Sequence, residues 1–284
     1  MFARLTDQRR RAVPLALVIA LGACKAGPSP VSTTVRPTPV PTRTAIPSHT
    51  VSVAGVHIAV PDALGATVEA IEVPAELDIV QPLAGGVRFT LIDYPIRRLP
   101  AATIEVRRGP VDPVAGAQIK RRFLEMFKFI LERDPKAPYV PIFARPGVRE
   151  QFVAQLTFRG IGLGSGRGAR AVTQLGRTIR PINNQDLVYV FEGLIRNNAV
   201  WVSMIAPVTV NDAAIAADAT MADPAAFAQD YTAYLAKTVE RLNALPSDAF
   251  TPNLDHLDAV AKSVRLDWPT PSPDEFATAD AIRP

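Results

Sequence analysis

Residues 187–208, LVYVFEGLIRNNAVWVSMIAPV, decide the fold of this chain. They predict two strands, 187–195 and 199–208, joined by a tight turn at Asn197 and Asn198, because asparagine tolerates positive φ. Both strands are apolar at successive positions, so both of their faces need cover. We therefore expect this pair to lie centrally in a sheet, with helices or loops packed on each face.

Working outward, the sequence predicts an α+β domain over residues 51–267, built on an antiparallel sheet of about six to seven strands flanked by helices. A short helix near 66–72 is also expected. Proline after an N-cap residue marks two helix starts, at Asp223-Pro224 and at Thr251-Pro252. Residues 268–284 hold four prolines and are expected to fray. The other expected strands are 51–60, 87–91, 102–107, 152–158 and 169–178, and the first clear amphipathic helix is 118–133.

The glycine-rich stretch 160–168 alternates glycine with other residues. A phosphate-binding loop would need a strand before it and a helix after it, whereas both flanks here have the pattern of strands. We interpret the stretch as a flexible hairpin loop.

The N-terminus has the features of a secretory signal. Four arginines precede the uncharged run 12–23, which is too short to span a bilayer as a helix. The run closes with Leu21, Gly22, Ala23 and Cys24, the only cysteine of 284 residues. These four residues resemble the lipobox of bacterial lipoproteins, which implies that residues 1–23 are removed and that Cys24 carries a diacylglycerol of palmitate-type chains. The alternatives are an ordinary signal peptide with a chance cysteine and a cytosolic tail.

Residues 24–50 follow as a tether. Residues 27–50 hold six prolines, six threonines and three serines but no acid, a composition that cannot bury enough apolar surface to fold. Proline favours extended polyproline II, and the hydroxyl residues are candidates for glycosylation. We expect a spacer between the lipid and the folded domain.

The predicted signal, residues 1–23, carries most of the net positive charge of the chain. The whole chain carries +4, and removal of residues 1–23 leaves 27 basic and 26 acidic residues, or +1. We therefore expect no nucleic-acid partner. Residues 145–196 carry eight arginines and three acids, whereas residues 211–284 carry twelve acids and five bases. This asymmetry either orients the domain against an anionic polymer or pairs the two parts with each other.

No sequence motif indicates catalysis, a metal or a cofactor. The folded part contains His57 and His256, without partners at the spacing of a metal site or a catalytic triad. Asp255 and Asp258 have the spacing of solvated acids on a helix surface. A pair of carboxylates assembled by the fold is left open, because sequence does not reveal such pairs.

Most of the folded domain resembles an uncharacterised family of bacterial envelope lipoproteins. The resemblance is carried by Thr173-Gln174, the PINNQ turn at 181–185, Tyr189, FEGL at 191–194 and VWVS at 200–203. Asn197-Asn198 stands where that family has an Asp-Gly turn. The strand order is more faintly similar to the Mog1/PsbP-type α/β/α sandwich. Neither resemblance implies an activity.

We expect a lipid-anchored protein of the cell membrane or outer membrane that acts as a non-catalytic binding or assembly module. Its partners would be membrane lipid, through Cys24, and another envelope protein or an anionic envelope polymer. The candidate contact residues are Arg180, Asn183 and Asn184, near a strand end. An envelope hydrolase with a fold-assembled carboxylate pair and a solute-capture protein are the alternatives.

Overall fold

The computed structural model describes residues 46–75, 85–108, 157–163, 166–174, 179–196, 200–215, 220 and 222–269. The predicted signal, most of the tether, the predicted helix 118–133 and the Asn197-Asn198 turn lie outside these residues. No helix in the described part of the chain combines the length and apolarity needed to cross a lipid bilayer.

A seven-stranded antiparallel sheet forms the centre of the domain. It consists of two meanders, β3-β4-β5 and β6-β7-β8-β9, joined where β5 pairs with β9, in the order β3-β4-β5-β9-β8-β7-β6. The α+β class with an antiparallel sheet is therefore confirmed. The strands are β3 (Thr67–Val73), β4 (Gly86–Ile92), β5 (Thr103–Arg108), β6 (Thr157–Leu163), β7 (Gly166–Gln174), β8 (Leu187–Ile195) and β9 (Val200–Pro207).

The predicted central hairpin is confirmed as β8 and β9. The two strands pair from Val188 opposite Pro207 to Ile195 opposite Val200. Every residue of both strands is buried. β9 is the fourth of the seven strands, as the burial of both of its faces requires.

A second layer begins with a hairpin of β1 (Ser48–Val53) and β2 (Val56–Pro61), to which β12 (Arg265–Leu266) adds as a third strand. The single strand predicted over 51–60 is wrong, because the chain reverses at Ala54 and Gly55, whose φ angles are +48° and +74°. Two positive φ values in a two-residue loop match the right-handed twist of a hairpin. β1 starts at Ser48, so the sheet includes the last three residues of the predicted tether.

Two α-helices complete the described part of the domain, α1 (Pro224–Asn243) and α2 (Leu254–Ser263). The predicted cap of α1 is confirmed: the Asp223 carboxylate accepts hydrogen bonds from the amides of Ala225 and Ala226 at 2.9 and 3.0 Å. The predicted start at Thr251-Pro252 is wrong, because Asn253 caps α2 through the Asp255 amide. Short elements precede α2, namely β10 (Thr209–Val210), a 3-10 turn at Ser247–Ala249 and β11 (Phe250–Thr251).

The hydrophobic core lies between one face of the large sheet, called the core face, and the second layer. Phe89, Ile104 and Met204 of the sheet share this core with Ile58 of β2 and with α2, whose contributions include Leu257 and Val260. The helix predicted near 66–72 is wrong. In β3, Val68 and Ala70 pack on the core while Glu69 and Ile71 are exposed, which is the alternation of a strand.

Glycines of the predicted flexible loop lie instead inside strands. Residues 160 and 162 belong to β6, and Gly166 and Gly168 belong to β7. A methyl group on Gly168 would lie 2.3 Å from Cζ of Phe191 on the neighbouring strand. Glycine is therefore required here for close packing of strands rather than for a mobile loop.

The C-terminal boundary of the folded domain also differs from expectation. Trp268, assigned by its sequence to a fraying tail, is buried in the core, and its indole N–H donates to the carbonyl of Ala54 at 2.7 Å. Its ring stacks beneath the Arg108 guanidinium at 4.6 Å. The end of the described chain is thus fastened to the first hairpin.

Candidate functional site

Asn183, predicted as a partner contact, is fully buried and serves as a structural hub. Its side-chain amide donates to Gln174, to the Pro181 carbonyl and to Asp186, at 3.1, 3.0 and 2.7 Å. Its side-chain oxygen accepts the Gln185 amide at 2.9 Å. These bonds fix the turn that leads into β8, and they leave Asn183 no surface to offer a partner.

The other two predicted contact residues also brace this turn. The Asn184 side chain makes paired hydrogen bonds with the backbone N–H and carbonyl of Val210, at 2.8 and 3.0 Å. Arg180 lies 3.1 Å from the Asp186 carboxylate and remains partly exposed. The structure thus brings the three predicted residues together, with turn formation as their observed role.

A row of buried polar side chains crosses the other face of the large sheet, called the polar face. Arg88, Glu105, Ser203 and Glu192 stand opposite one another on β4, β5, β9 and β8, so they share one face. Glu105 accepts from Arg88 Nε at 2.7 Å and from Arg107 Nε at 3.1 Å. The fold thus places two acids, Glu105 and Glu192, on the strands that flank β9, with Ser203 between them, an arrangement that sequence spacing does not indicate.

Each acid of this pair is held by its own donors. The Glu192 carboxylate accepts from the Trp201 indole at 2.6 Å and from the Ser203 hydroxyl at 2.9 Å. Together with the two arginines on Glu105, these donors engage all four carboxylate oxygens. Both acids are almost fully buried. Buried charges that are paired in this way stabilise a unique packing and are poorly placed for proton transfer to a solute.

Asp258 is predicted to be a solvent-exposed acid on a helix surface, but it is buried against the core face. Its carboxylate lies 3.2 Å from Arg170 Nε and accepts the Tyr189 hydroxyl at 3.1 Å. Burial, aided by the negative charge of Asp258, raises the pKa of Tyr189 well above its usual value. The Arg170–Asp258 pair also joins the arginine-rich and acid-rich parts of the chain, so at this point they face each other.

Among the described residues, the side chains best arranged for catalysis lie at the first hairpin. Ser52 and His57 stand opposite each other on β1 and β2, two residues on either side of the turn. The Ser52 hydroxyl lies 2.7 Å from His57 Nδ1, and Asp267 Oδ2 lies 2.8 Å from His57 Nε2. Sequence analysis misses this chain of hydrogen bonds because it predicts one continuous strand over 51–60, in which Ser52 and His57 would be far apart. The two side chains come together only because the chain reverses at Ala54-Gly55.

Among the described residues, no three histidine, cysteine, aspartate or glutamate side chains come together in a way that could hold a metal ion. No family model matches the chain, and a search of curated proteins also finds no match. The resemblances to envelope lipoproteins and to the Mog1/PsbP-type sandwich stay predictions.

Proposed function

We propose that the chain is a lipid-anchored protein of the cell envelope whose folded domain binds or helps to assemble a partner. The observation that carries this proposal is the sequence Leu21-Gly22-Ala23-Cys24 at the end of a short apolar run that follows four arginines. A peptidase that cleaves before Cys24 leaves the thiol as the anchor point. One acyl chain holds a protein only marginally, whereas two or more hold it firmly.

The distance between the anchor and the domain supports a role away from the lipid surface. Cys24 and the first residue of β1, Ser48, are separated by residues 25–47, which are rich in proline. At about 3.1 Å per residue, such a segment extends to roughly 70 Å. The domain would reach partners in the envelope while remaining attached to the membrane.

A binding role is favoured over a hydrolase that uses a carboxylate pair. General acid–base catalysis requires a carboxyl group with an oxygen available to the substrate. Glu105 and Glu192 are the pair that the fold assembles, and their oxygens are engaged by Arg88, Arg107, Trp201 and Ser203. The partner we propose is another envelope protein, with an anionic envelope polymer as the alternative.

The anchor is tested by growing cells that express the chain with labelled palmitate and then separating membranes from soluble material. We expect the label on the native chain and on Lys25→Ser, and neither label nor membrane fractionation for Cys24→Ser. A Cys24→Ser variant that still sediments with the membrane would overturn the proposal.

The binding role is tested by photo-crosslinking in intact envelopes. A photoreactive residue is placed at Leu99, which is 89% exposed, or at Ile71, and a buried control is placed at Ile104. We expect a discrete adduct with one envelope protein from an exposed position, absent from the control and reduced in the Cys24→Ser background. A heterogeneous smear would indicate a polymer, and no adduct from any exposed position would contradict a binding role.

A further inference from the structure

When the imidazole of His57 is neutral, the hydrogen-bond chain of Ser52, His57 and Asp267 runs in one direction. A carboxylate can only accept, so Asp267 accepts from the Nε2–H of the imidazole. The neutral ring then presents the lone pair of Nδ1, and the Ser52 hydroxyl donates to it at 2.7 Å. A hydroxyl that donates to an imidazole, itself oriented by a carboxylate, is the arrangement that activates a serine nucleophile.

The ring nitrogens have exchanged roles relative to the serine proteases, in which Nε2 contacts the serine and Nδ1 the aspartate. The exchange follows from the hairpin. Nδ1 lies nearer the backbone, and it therefore reaches the side chain directly opposite, which is Ser52. Nε2 points away from the backbone and reaches Asp267, which follows β12 at the other edge of β2. Triads are recognised by geometry and roles, so the exchange leaves the chemistry intact.

Each of the three residues is held by the backbone. Ser52 and His57 belong to strands, and the Asp267 N–H donates to the Gly55 carbonyl at 2.8 Å. The next residue, Trp268, is buried and bonded to the Ala54 carbonyl. Asp267 is therefore positioned by its neighbours even though its side chain is 72% exposed. Preorganisation of this kind is what distinguishes a catalytic array from chance surface contacts.

The backbone at Ser52 also supplies a donor for a developing oxyanion. In a two-residue hairpin the pair that closes the loop, here Val53 and Val56, exchanges hydrogen bonds, and the next pair does not. The N–H of Ser52 therefore points away from β2, towards the outer edge of β1. β1 is an edge strand of its three-stranded sheet, and Ser52 is exposed there. A carbonyl carbon in reach of Oγ would have its oxygen near this N–H.

We propose that Ser52, His57 and Asp267 form a serine-hydrolase site for carboxylic esters, in which Ser52 is the nucleophile, His57 the general base and Asp267 a positioning residue. Oγ attacks the ester carbonyl carbon while its proton passes to Nδ1. The C–O bond to the alcohol then breaks, and the alcohol leaves with the proton from Nδ1. Water, deprotonated by the same nitrogen, attacks the acyl-serine ester, releases the carboxylic acid and regenerates the Ser52 hydroxyl.

The location of the site suggests the kind of ester. It lies on an exposed strand edge four residues after Ser48, where the folded domain meets the predicted tether. An edge accepts an extended chain alongside it, and Ser52 is exposed on this edge, so an acyl group bound there would stay largely in contact with solvent. We therefore infer a short acyl group, such as acetyl, on a larger and accessible molecule. This activity goes beyond the proposed binding role, which assigns no chemistry to the domain.

The test uses a fluorophosphonate probe, which forms a covalent bond with activated serines, on the full chain. We expect labelling at Ser52 by peptide mass analysis, and hydrolysis of p-nitrophenyl acetate that Ser52→Ala and His57→Gln abolish. The matched control Ser48→Ala removes an exposed serine of the same strand and should retain full labelling. Asp267→Asn should reduce the rate at least tenfold, with partial recovery in Asp267→Glu, because the carboxylate sets the tautomer of the base.

Circular dichroism and thermal unfolding of each variant show whether the domain remains folded. A native chain that is not labelled, or a folded Ser52→Ala that is labelled and active like the native chain, would overturn the proposal. The result is independent of the anchor, since Cys24→Ser should be labelled as well as the native chain. A failed hydrolase test therefore leaves the envelope-binding proposal standing, and the converse also holds.

Discussion

At the scale of single residues, Ala54 carries a conformational cost. Its φ of +48° lies in the left-handed region, which is unfavourable for L-residues by about 1–2 kcal/mol and least so for glycine and asparagine. Gly55 follows with φ +74°, so the turn has the backbone of the Asn-Gly type.

We predict that Ala54→Asn raises the free energy of unfolding by about 1 kcal/mol, measured by urea denaturation. The Ala54 carbonyl still accepts the Trp268 indole N–H in this variant. Ala54→Val is the control, and it should be less stable than the native chain because a β-branched residue fits positive φ poorly. Equal stability of the three proteins would argue against the turn geometry.

Asn183 should behave as a structural residue rather than as a contact residue. We predict that Asn183→Ala lowers the free energy of unfolding by about 2 kcal/mol or more, because it removes the bonds donated to Gln174, Pro181 and Asp186 and the bond accepted from the backbone N–H that follows. The exposed neighbour Gln185→Ala should change stability by less than about 0.5 kcal/mol. Loss of an envelope partner from Asn183→Ala without loss of stability would restore the contact role.

Residue-scale prediction from the sequence succeeds where the environment is local. The cap at Asp223 is such a case, because an N-cap acts on amides two and three residues ahead. The burial of Asp258 is set by Arg170 and Tyr189, which lie far away in sequence, so the helical spacing alone wrongly suggests a solvated acid. The contacts of His57 also depend on tertiary structure. Ser52 reaches it only when β1 pairs with β2, and Asp267 reaches it only when β12 adds to β2.

At the scale of elements, the ring of Phe191 on β8 occupies the space that a side chain at Gly168 of β7 would need. We predict that Gly168→Ala destabilises the domain by about 1–3 kcal/mol, since its methyl group would collide with Cζ of Phe191 and with the Glu192 carbonyl, which would be 2.9 Å away. Chemical denaturation of a double-mutant cycle with Phe191→Leu checks the cause. A smaller penalty for Gly168→Ala in the Phe191→Leu background is expected, whereas additive losses would contradict a clash with the ring.

The elements that the sequence predicts best are those with a long, uniform pattern. β8 and β9 are apolar at most positions of both faces, and α1 has both a capping residue and apolar residues at helical spacing, so each is recognised without tertiary information. The apolar residues of α1 at this spacing are Phe227, Tyr231, Leu235 and Leu242. β3 and the β1–β2 hairpin are misjudged because their patterns are short. β3 contains Glu69, Ala70 and Glu72, which favour a helix by intrinsic propensity, and neither a proline nor an Asn-Gly pair marks the turn at Ala54-Gly55 between two runs of β-formers.

At the scale of the whole molecule, Trp268 joins the two ends of the described domain. We predict that Trp268→Ala lowers the free energy of unfolding by about 3 kcal/mol or more, because it empties a buried site at the first hairpin. Trp268→Phe keeps most of the packing but loses the bond to Ala54, and it should cost about 1 kcal/mol beyond any packing loss. If Trp268→Ala were as stable as the native chain by thermal and urea unfolding, the residue would belong to the tail, as its sequence suggests.

The topology is the part of the fold that the sequence leaves open. Neighbouring strands in a meander follow from short connections, but the pairing of β5 with β9 joins the two meanders across a long separation. No local propensity distinguishes this pairing from one between β3 and β9. The count of about six to seven strands is thus predictable from periodicity, whereas their order comes only from the assembled core.

The return of the chain to its starting hairpin has a consequence for biogenesis. Ala59 of β2 bonds to Ser263, which lies 204 residues further along the chain, and the second layer is incomplete until β12 has been added. A ribosome that has produced only the first half of this polypeptide has supplied neither Ser263 nor β12, so the second layer is completed only near the end of synthesis. Under the proposed export, this late completion would keep the chain open for passage through a translocon.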